Sequence, residues 1–508
     1  MKTSFLSVLL LVQQALFSQT LFRDIAFNAN EPTANTSVRN IAVYPDQKIL
    51  ICGDFSNYNG VLKQSLIRLL SDGQPDLSFT PPVMNGLVHS IAIQPWDQKV
   101  VIGGSFTLAN GTAANGVARF NHDGSRDATF NIGSGIGSGY SGELSVRSVV
   151  IVDDADPSRR RIYAGGQFQV FNGASIGTRG GLVRLFENGA RDAAYDPMVT
   201  NGPVYAMRAD ADGKLVIGGE FWNVGGATQV RVARINADGT RDAGFNTNPF
   251  GPYSSVTSVA IDSAGRVLLG GWFTQYNGLD YKHMVRLLPD GKVDTSLHMG
   301  SGFQGGLSTY TNGTEARSFA FLKDGTIVVG GNFTSYNGIA CNNIICIQPD
   351  GSVSDWSIGD GFDNNIMTLQ IQEPMPGEER VLAGGFFNSY QSYTQGTVMR
   401  LIPMLSVLNQ QQQTRANVMP ARQSASSVTR VYPNPVRNQL FIETYMPYAS
   451  KWTAVAYGIG GQVLKQWNLF LQRGGNKVPL DVSMIRQQYF VLSFSNGLQQ
   501  FRYVISRQ

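Results

Sequence analysis

The chain offers few residues with the spacing of a catalytic or metal site. Its four histidines are His89, His122, His283 and His298, and they lie too far apart for the usual spacing of metal ligands. The sequence contains neither a His-Glu-x-x-His zinc motif nor a Gly-x-Ser-x-Gly nucleophile motif. We therefore predict no catalytic residue, no metal and no cofactor.

Two short stretches have the composition of ligand loops. Gly133–Gly139 is rich in glycine, but it lacks the lysine and the following helix that a phosphate loop uses. Asp153, Asp154 and Asp156 could ligate calcium through their carboxylates. They fall in the first hairpin turn of a repeat, where aspartate commonly forms the turn itself. We interpret the first stretch as a flexible insertion and the second as a turn.

Arginine and aspartate recur at a fixed spacing of eight residues. The pairs are Arg68 with Asp76, Arg119 with Asp127, Arg184 with Asp192, Arg234 with Asp242 and Arg286 with Asp294. Arg400 has no acid after it, and closure of the array would bring it Asp24. In the sixth unit Cys346 replaces the arginine, and Asp355 comes one residue late. Because arginine binds carboxylates bidentately, we interpret the pairs as ties between strands, with ligand-binding arginines as the alternative.

A longer repeat contains these pairs. An apolar run followed by Gly, any residue and Phe occurs seven times, at spacings between 51 and 62 residues. The seven elements begin at Gly53, Gly104, Gly166, Gly219, Gly271, Gly331 and Gly385. Asn-Gly and Asp-Gly turns between the apolar runs are strong hairpin signals. The pattern predicts four-stranded antiparallel units, which are the blades of a β-propeller.

The number of elements predicts how the array closes. An Asp-x-x-aromatic element starts at Asp24, ahead of the first unit, whereas the seventh unit ends at Arg400–Pro403 without one. We therefore predict that the N-terminal segment Asp24–Phe27 completes the last blade and removes an exposed sheet edge. The predicted fold is all-β, with a seven-bladed propeller over residues 19–404.

Residues 24–404 resemble the delta-60 β-propeller repeat family of secreted bacterial proteins. The resemblance rests on Gly-Gly-x-Phe, Asn-Gly, Ala-Arg and Asp-Gly-x-x-Asp elements, for example in Val232–Phe245. It implies a propeller fold without an assigned chemistry. The seventh unit departs most from the pattern, because Tyr390-Gln391-Ser392 replaces the Asn-Gly turn.

Two insertions between units are candidates for a ligand-binding face. Asn131–Ser145 and His298–Ala316 are longer than the corresponding connections elsewhere, and they carry Tyr140, Phe303 and Tyr310. Aromatic side chains at the mouth of a propeller channel would suit stacking on sugar rings. Surface insertions without a ligand are the alternative. We interpret Trp96 and Trp272 as packing residues.

The charge and the cysteines limit the class of protein. Charged residues make up 15% of the 508 residues, which argues against a disordered polyelectrolyte. The net charge of +4 comes from residues 431–508, which carry +6, so the body is nearly neutral and nucleic acid is not expected as a partner. Three cysteines cannot form a complete disulfide framework. We interpret Cys52, Cys341 and Cys346 as buried apolar residues, with a bridge to Cys52 as the alternative.

The N-terminal residues predict export. Residues 1–18 combine Lys2, an apolar run and the small Ser18 in the order of a secretory signal peptide, with a buried N-terminal strand as the alternative. No later window has the length of apolar sequence that a membrane span needs. Residues 405–430 have the glutamine- and serine-rich composition of a flexible linker.

Residues 431–508 predict a second, smaller β domain. About seven short apolar runs in this segment favour an Ig-like β-sandwich. It resembles the type A C-terminal sorting domain of the type IX secretion system through Tyr432-Pro433-Asn434-Pro435, Gly461-Gln462-Val463 and the Tyr489–Leu492 strand. Tyr457-Gly458 and Gln488 depart from that pattern. The resemblance implies export by the type IX machinery, and an ordinary Ig-like binding domain is the alternative.

These features favour a secreted or cell-surface binding or adhesion module without catalysis. Its expected ligand is an extracellular glycan or protein, and we expect a monomer. A carbohydrate-active lyase or hydrolase is one alternative, and it would need acids or a His/Tyr pair converging on the channel. A structural component of the cell surface is the other.

Overall fold

The computed structural model describes most of the chain. The residues it leaves undescribed are 1–20, 25–26, 28–36, 63, 82, 138–143, 177–180, 200, 246–250, 307–312, 355–359, 392, 395, 404–429, 433, 447–448, 459–462, 488, 496–499 and 508. By contacts the chain divides into two compact units. One holds Ala26–Pro376 and Arg380–Arg400, and the other holds Met1–Ile25, Gly377–Glu379 and Leu401–Gln508.

The larger unit is built of antiparallel sheets, in keeping with the all-β prediction. Six three-stranded sheets follow one another along the chain, each with its second strand in the middle. Their strands are Ser37–Val43, Ile49–Asp54 and Leu66–Leu69; Val88–Ile93, Val100–Gly104 and Val117–Phe120; Ser145–Val152, Arg161–Gln167 and Gly181–Leu185; Val204–Ala209, Leu215–Gly219 and Val232–Ile235; Val256–Ile261, Val267–Gly271 and Met284–Leu287; Glu315–Phe321, Ile327–Asn332 and Ile344–Ile347. We refer to them as sheets one to six.

A seventh sheet includes residues from the beginning of the chain. It contains Ile366–Gln372, Arg380–Gly385 and Val398–Pro403, and its fourth strand is Leu21–Arg23. Leu21 lies opposite Pro403 and Arg23 opposite Leu401. The pairing strand thus precedes Asp24–Phe27, the segment that the sequence pattern suggested.

The four-stranded unit expected from the sequence is not formed in sheets one to six. There the fourth element is a single bridge, such as Leu69 with Pro75 or Phe120 with Arg126. The chain turns immediately afterwards, because Asp76 donates its N–H to the Arg68 carbonyl and accepts the Phe79 N–H. The Asp-x-x-Phe element is therefore a turn that ends the sheet, and the expectation of a fourth strand was wrong for these six.

Short hairpins extend the units beyond the main sheets, and Asn-Gly turns close five of them. Asn59, Asn110, Asn172, Asn277 and Asn337 all have positive φ, as do the glycines that follow them. The paired segments are Asn57–Tyr58 with Val61–Leu62, Leu108–Ala109 with Thr112–Ala113, Val170–Phe171 with Ala174–Ser175, Asn223–Val224 with Ala227–Thr228, Gln275–Tyr276 with Leu279–Asp280, Ser335–Tyr336 with Ile339–Ala340, and Ser389–Tyr390 with Tyr393–Thr394. Ile136–Gly137 and Phe303–Gln304, from the two insertions, pair with the third and sixth hairpins. Pro157–Arg159 forms a single 3₁₀ turn.

The glycine that begins each Gly-x-Phe element permits a β-bulge in the neighbouring strand. A Cβ at Gly53 would lie 1.9 Å from the Ser37 carbonyl oxygen, so no other residue fits without moving the backbone. Across this close approach the register of the first and second strands shifts by one residue. The same shift occurs in all seven main sheets of the described chain. A bulge turns the extra residue away from the regular alternation of the strand.

Apolar side chains between consecutive sheets form the core of the larger unit. Ile102 of sheet two packs in one cluster with Leu50 of sheet one. The last and first sheets also share a cluster, which contains Leu382 and Ile51. First strands of consecutive sheets contact one another, and Ile366–Gln372 contacts Ser37–Val43. Each sheet therefore buries both faces against neighbours.

Arginine–aspartate pairs reinforce the junctions between sheets. The distances between Nε and Oδ2 are 2.8 Å for Arg68–Asp76, 2.8 Å for Arg119–Asp127, 3.0 Å for Arg184–Asp192, 2.9 Å for Arg234–Asp242 and 2.7 Å for Arg286–Asp294. Four of these arginines, Arg68, Arg119, Arg184 and Arg234, also donate to a carbonyl of the next sheet or the turn that follows it. Arg234 Nη1 donates to the Pro289 carbonyl at 2.7 Å, and Arg68 Nη1 donates to the His122 carbonyl.

The three cysteines are buried and free, which agrees with their interpretation as apolar residues. Burial raises the pKa of the Cys341 thiol to about 12. The thiols are therefore protonated and unreactive at neutral pH. Among the residues that the structure describes, no helix is long and apolar enough to cross a membrane.

The smaller unit contains two further antiparallel sheets. One has Arg430–Tyr432, Gln439–Met446 and Gly474–Asp481, and the other has Val463–Leu471, Ser450–Gly458, Tyr489–Ser495 and Gln500–Ser506. Both contribute to one hydrophobic cluster, in which the rings of Trp452 and Phe494 stack at 4.4 Å. Leu440 joins the same cluster from the first sheet.

A candidate ligand-binding cavity

Seven bulged residues from seven sheets line one cavity of about 500 Å³. They are Arg39, His89, Arg147, Tyr205, Thr257, Arg317 and Met367, and we call them the bulge ring. In sequence they are spread over more than half of the chain. The volume lies within the usual range for small-molecule sites. The bulges, which are common beside binding sites, bring these side chains to a shared space.

Three arginines make the bulge ring strongly cationic. Burial lowers the pKa of Arg39, and the charges of Arg317 and Arg147 lower it further, with more effect than the opposing charge of Asp54. Among the described residues Arg39 forms no ion pair, and its buried Nε donates no hydrogen bond. Like charges around one cavity destabilise one another, and an anion in the cavity would relieve the repulsion.

Arg317 has an internal counter-ion. Arg317 Nη1 lies 2.9 Å from Glu315 Oε2, and the Thr257 hydroxyl donates to Glu315 Oε1. The Glu315 side chain is fully buried. This arrangement fixes the guanidinium of Arg317 and partly offsets its charge, whereas Arg39 forms no ion pair among the described residues.

His89 contributes a neutral imidazole to the cavity. Its Nε2 lies 2.8 Å from the Ser105 hydroxyl oxygen. Burial lowers the pKa of His89 to about 2, with further contributions from Arg147, Arg39 and Arg317. His89 therefore takes part in hydrogen bonding at neutral pH without adding a charge.

Two aromatic residues complete the lining. Burial raises the pKa of Tyr205 to about 12, and the neighbouring Glu220 carboxylate raises it as well. Trp272 lines the cavity and remains 39% exposed. Its interpretation as a packing residue is therefore corrected, because it follows the glycine of a Gly-x-Phe element and lies beside the bulge ring.

The aromatic residues predicted from the insertions do not form this site. Tyr140 and Tyr310 lie outside the described residues. Phe303 is fully buried, with its ring centroid 4.6 Å from that of Phe333 and 4.8 Å from that of Tyr336. The expectation of a ligand contact at Phe303 is therefore corrected, because its short strand packs into the core of the sixth unit.

The other residues singled out from the sequence lie elsewhere. Asp24 and Arg400 are both buried, and Arg400 donates through Nη1 to Gln372 Oε1 at 2.8 Å and to the Ser71 carbonyl. The direct tie between Asp24 and Arg400 stays a prediction, and Asp355 lies outside the described residues. Within the described part of the chain no group of three His, Cys, Asp or Glu residues is arranged to hold a metal.

The proposed sorting motif lies in the smaller unit. Tyr432 pairs with Phe441, and the Asn434 side chain accepts hydrogen bonds from the Ser506 N–H and hydroxyl at 2.9 Å each. Pro433 lies outside the described residues, and Pro435 follows a cis peptide bond. The motif thus binds the last strand of its own unit.

Sequence reasoning missed the bulge ring for a physical reason. Strand periodicity alone would place alternate residues on one face, whereas the bulge adds one residue. The detectable signal was the seven-fold glycine of the Gly-x-Phe element, since its contact with a carbonyl marks the position of each bulge.

Comparison with known proteins supports the repeat assignment. Residues 45–79, 97–130, 211–245, 265–297 and 322–353 match the model of a domain of unknown function described as DUF5122 beta-propeller. Together these five segments make up about a third of the chain, and they are similar to DUF5122 β-propeller repeats. These matched segments cover parts of sheets one, two, four, five and six. A comparison with curated proteins finds no match.

Three solved structures show distant similarity to this repeat protein. A gluconolactonase from Xanthomonas campestris is 10% identical, with a TM-score of 0.35, covering 74% of this chain and 97% of its own. An arabinoxylan arabinofuranohydrolase of glycoside hydrolase family 43 from Bacillus subtilis is 11% identical, with a TM-score of 0.28, covering 96% and 98%. Dimeric latent PorU from Porphyromonas gingivalis is 9% identical, with a TM-score of 0.15, covering 49% and 32%.

Proposed function

We propose that this protein is a secreted or cell-surface binding module whose bulge-ring cavity takes an acidic saccharide. The observation that carries the proposal is the convergence of Arg39, Arg147 and Arg317 on one cavity. Guanidinium groups bind carboxylate and sulfate groups through paired hydrogen bonds. Arg39 in particular has an unused donor and no ion pair among the described residues.

The remaining lining favours a sugar over a simple inorganic anion. Trp272 offers a partly exposed apolar face, and Tyr205 and His89 offer polar groups beside it. Pyranose rings present apolar C–H faces and hydroxyl groups, which match this mixture of aromatic and polar contacts. A uronate or sulfated residue would place its anionic group at the arginines.

The test is a calorimetric titration of the full chain with uronate, sulfated and neutral oligosaccharides. Arg39→Ala and Arg147→Ala should each weaken binding of the acidic ligand by about tenfold or more, since a hydrogen bond to a charged group contributes about 1.5–3 kcal/mol. Arg159→Ala is the matched control, because that arginine is 73% exposed and its pair with Asp156 lies on a surface turn. Equal affinity in all variants, or no binding of any acidic saccharide, would refute the proposal.

We also propose a seven-bladed closed propeller for the seven main sheets and an Ig-like sandwich for the smaller unit. The contacts between sheets seven and one support the first, and the shared core of two sheets supports the second. The test of this division is separate expression of residues 19–404 and 431–508. Independent cooperative melting of both pieces is expected, and failure of either to fold would count against this division.

Export by the type IX machinery remains our proposal for residues 431–508. It is supported by the N-terminal apolar segment and by the Tyr432-Pro433-Asn434-Pro435 motif. A fluorescent protein joined to residues 405–508 and to a secretory signal should reach the outside of a cell that has this machinery. The same fusion ending at residue 430 should stay in the periplasm, and its equal export would contradict the proposed role.

A second candidate function is elimination chemistry on acidic polysaccharides. It is favoured by the joint presence of neutral His89, Tyr205 and Arg147 around one cavity. Such a reaction needs a base to remove the proton beside the carboxylate and a cation to stabilise the resulting charge. Incubation with polyuronates should then produce unsaturated sugars detectable by ultraviolet absorbance, and Tyr205→Phe should abolish them. Binding without this product would leave the module non-catalytic.

A further inference from the structure

A second pocket lies beside the bulge ring, at the junction of sheets four and five. It encloses about 220 Å³ and is lined by Asn201, Gly202, Glu220, Trp222, Arg231, Ser254 and Ser255. We call it the side pocket. Glu220 lies at its boundary with the cavity, because the same carboxylate acts on the pKa of Tyr205.

The side pocket contains an arginine where four other repeats have serine, glycine, histidine or asparagine. Arg231 has φ of +63°, and the equivalent residues Ser65, Gly116, His283 and Asn343 have φ between +62° and +76°. A long side chain is uncommon in this left-handed conformation. The backbone contacts are unchanged, since the Arg231 N–H donates to the Phe221 carbonyl at 2.9 Å. The fold therefore needs only the backbone at this position, and the arginine side chain requires another explanation.

The guanidinium of Arg231 is held in place without using all its donors. Nη1 donates to the Pro252 carbonyl at 2.9 Å, and the group lies 4.8 Å from the ring centroid of Trp222. Its Nε is buried and donates no hydrogen bond among the described residues. The contacts with Pro252 and Trp222 therefore leave part of the donor capacity of this guanidinium unused.

Two exposed aromatic rings flank this arginine. Trp222 is 50% exposed and Tyr253 is 77% exposed. Tyr253 lies close enough to Arg231 to raise the pKa of its guanidinium, although burial has the larger, opposite effect. In the other six repeats the position of Trp222 holds a small or polar residue: Ser56, Thr107, Gln169, Thr274, Thr334 and Asn388. The aromatic residue is thus peculiar to this repeat. Half-exposed tryptophan beside convergent polar groups is typical of a binding site.

The polar groups of the pocket suit hydroxyl ligands. Glu220 Oε1 accepts a hydrogen bond from the Ser255 hydroxyl, which fixes the carboxylate. That carboxylate would repel an anion and attract the hydroxyl donors of a neutral sugar. Asn201 and Ser254 supply further donors and acceptors.

We propose that the side pocket is a second saccharide site, which binds a neutral pyranose residue against Trp222. The Arg231 guanidinium donates to an oxygen of this sugar, and Glu220 accepts from its hydroxyls. The site differs from the acidic-saccharide cavity in its charges. The Glu220 carboxylate lines the pocket, and its one arginine, Arg231, already contacts Trp222 and the Pro252 carbonyl.

The test is a calorimetric titration of the full chain with neutral xylo-, manno-, gluco- and galacto-oligosaccharides. We expect saturable binding of one of these, at least about tenfold weaker affinity in Trp222→Ala, and substantial recovery in Trp222→Phe. Leu279→Ala is the matched control, since that residue is an exposed apolar side chain on the neighbouring hairpin and lies outside the pocket. It should bind as the unmodified chain does.

The outcomes separate this inference from the proposed function of the cavity. Arg39→Ala should leave neutral-sugar binding unchanged while weakening acidic-saccharide binding. No response to any neutral oligosaccharide, or a response that survives Trp222→Ala, would overturn the side-pocket proposal even if acidic saccharides bind. If a variant loses only its binding of acidic saccharides and still binds the neutral sugar, the side-pocket proposal is supported.

Discussion

Arg286 Nε donates to Asp294 Oδ2 across 2.7 Å, and the Arg286 side chain is fully shielded from solvent. The Ser296 hydroxyl and N–H also donate to Asp294, so the carboxylate is bound from both sides. Burial by itself would raise the pKa of Asp294, but the contacts of Ser296 and Arg286 hold it below its usual range. The eight-residue spacing in the sequence thus corresponds to a strand tied to the turn that ends its sheet.

Breaking the pair between Arg286 and Asp294 should lower the free energy of unfolding. Arg286→Ala leaves the buried Asp294 carboxylate with only the more distant Arg266, whose Nη1 lies 3.8 Å from Oδ2, so we expect a loss of about 3 kcal/mol in the free energy of unfolding. Arg234→Ala should cost less, because Arg234 and Asp242 retain 15% and 13% exposure. Thermal melting of both variants checks the order. An unchanged melting temperature in Arg286→Ala would show that the pair does not stabilise the fold.

The bulge glycines should tolerate no side chain. In Gly331→Ala the new Cβ would lie 2.0 Å from the Glu315 carbonyl oxygen, so the strands must separate and displace Arg317 from the bulge ring. We expect a large drop in melting temperature and loss of acidic-ligand binding. Gly244→Ala is the control, because its Cβ would meet nothing closer than Asp242 Oδ1 at 3.4 Å, and its effect should stay within about 0.5 kcal/mol. Similar behaviour of the two variants would disprove the steric role.

Binding in the bulge ring should depend on salt. Arg39 and Arg147 are proposed to attract the anionic group of the ligand electrostatically. Raising the ionic strength from about 0.1 M to about 1 M shortens the screening length from about 10 Å to about 3 Å and so weakens this attraction. The affinity for the acidic saccharide should fall over this range in calorimetry. Affinity for a neutral saccharide in the side pocket should change little. An acidic ligand whose affinity is independent of salt would not be held by these arginines.

His89 should make stability depend on pH. Its pKa is about 2 in the fold and about 6.5 in the unfolded chain, so the unfolded state takes up a proton first as the pH falls. Stability from this residue is complete above about pH 6.5 and decreases by about 2 kcal/mol between pH 7 and pH 5. His89→Gln should remove that part of the decrease in denaturant melts at both pH values. An identical pH dependence in the variant would mean that His89 is accessible to protons in the fold.

Local sequence determined most of the secondary structure. Asn59-Gly60 and its counterparts adopt the positive φ values that a tight hairpin requires, and few other residue pairs do so readily. The apolar runs before each Gly-x-Phe element become the central strands of the sheets, because they are long enough to be buried on both faces. Repeats, hairpins and the Arg–Asp spacing are all properties of neighbouring residues, so they were visible without a structure.

Tertiary structure decided the candidate sites. Arg39 and Arg317 meet only because the sheets pack side by side and each first strand carries a bulge, which turns one residue out of the regular alternation. Phe303 lies in a glycine-rich insertion, yet its pairing with Tyr336 buries it, which composition could not reveal. Sequence periodicity therefore fixes what each segment forms, whereas contacts between distant segments fix which side chains share a cavity and what charge surrounds them.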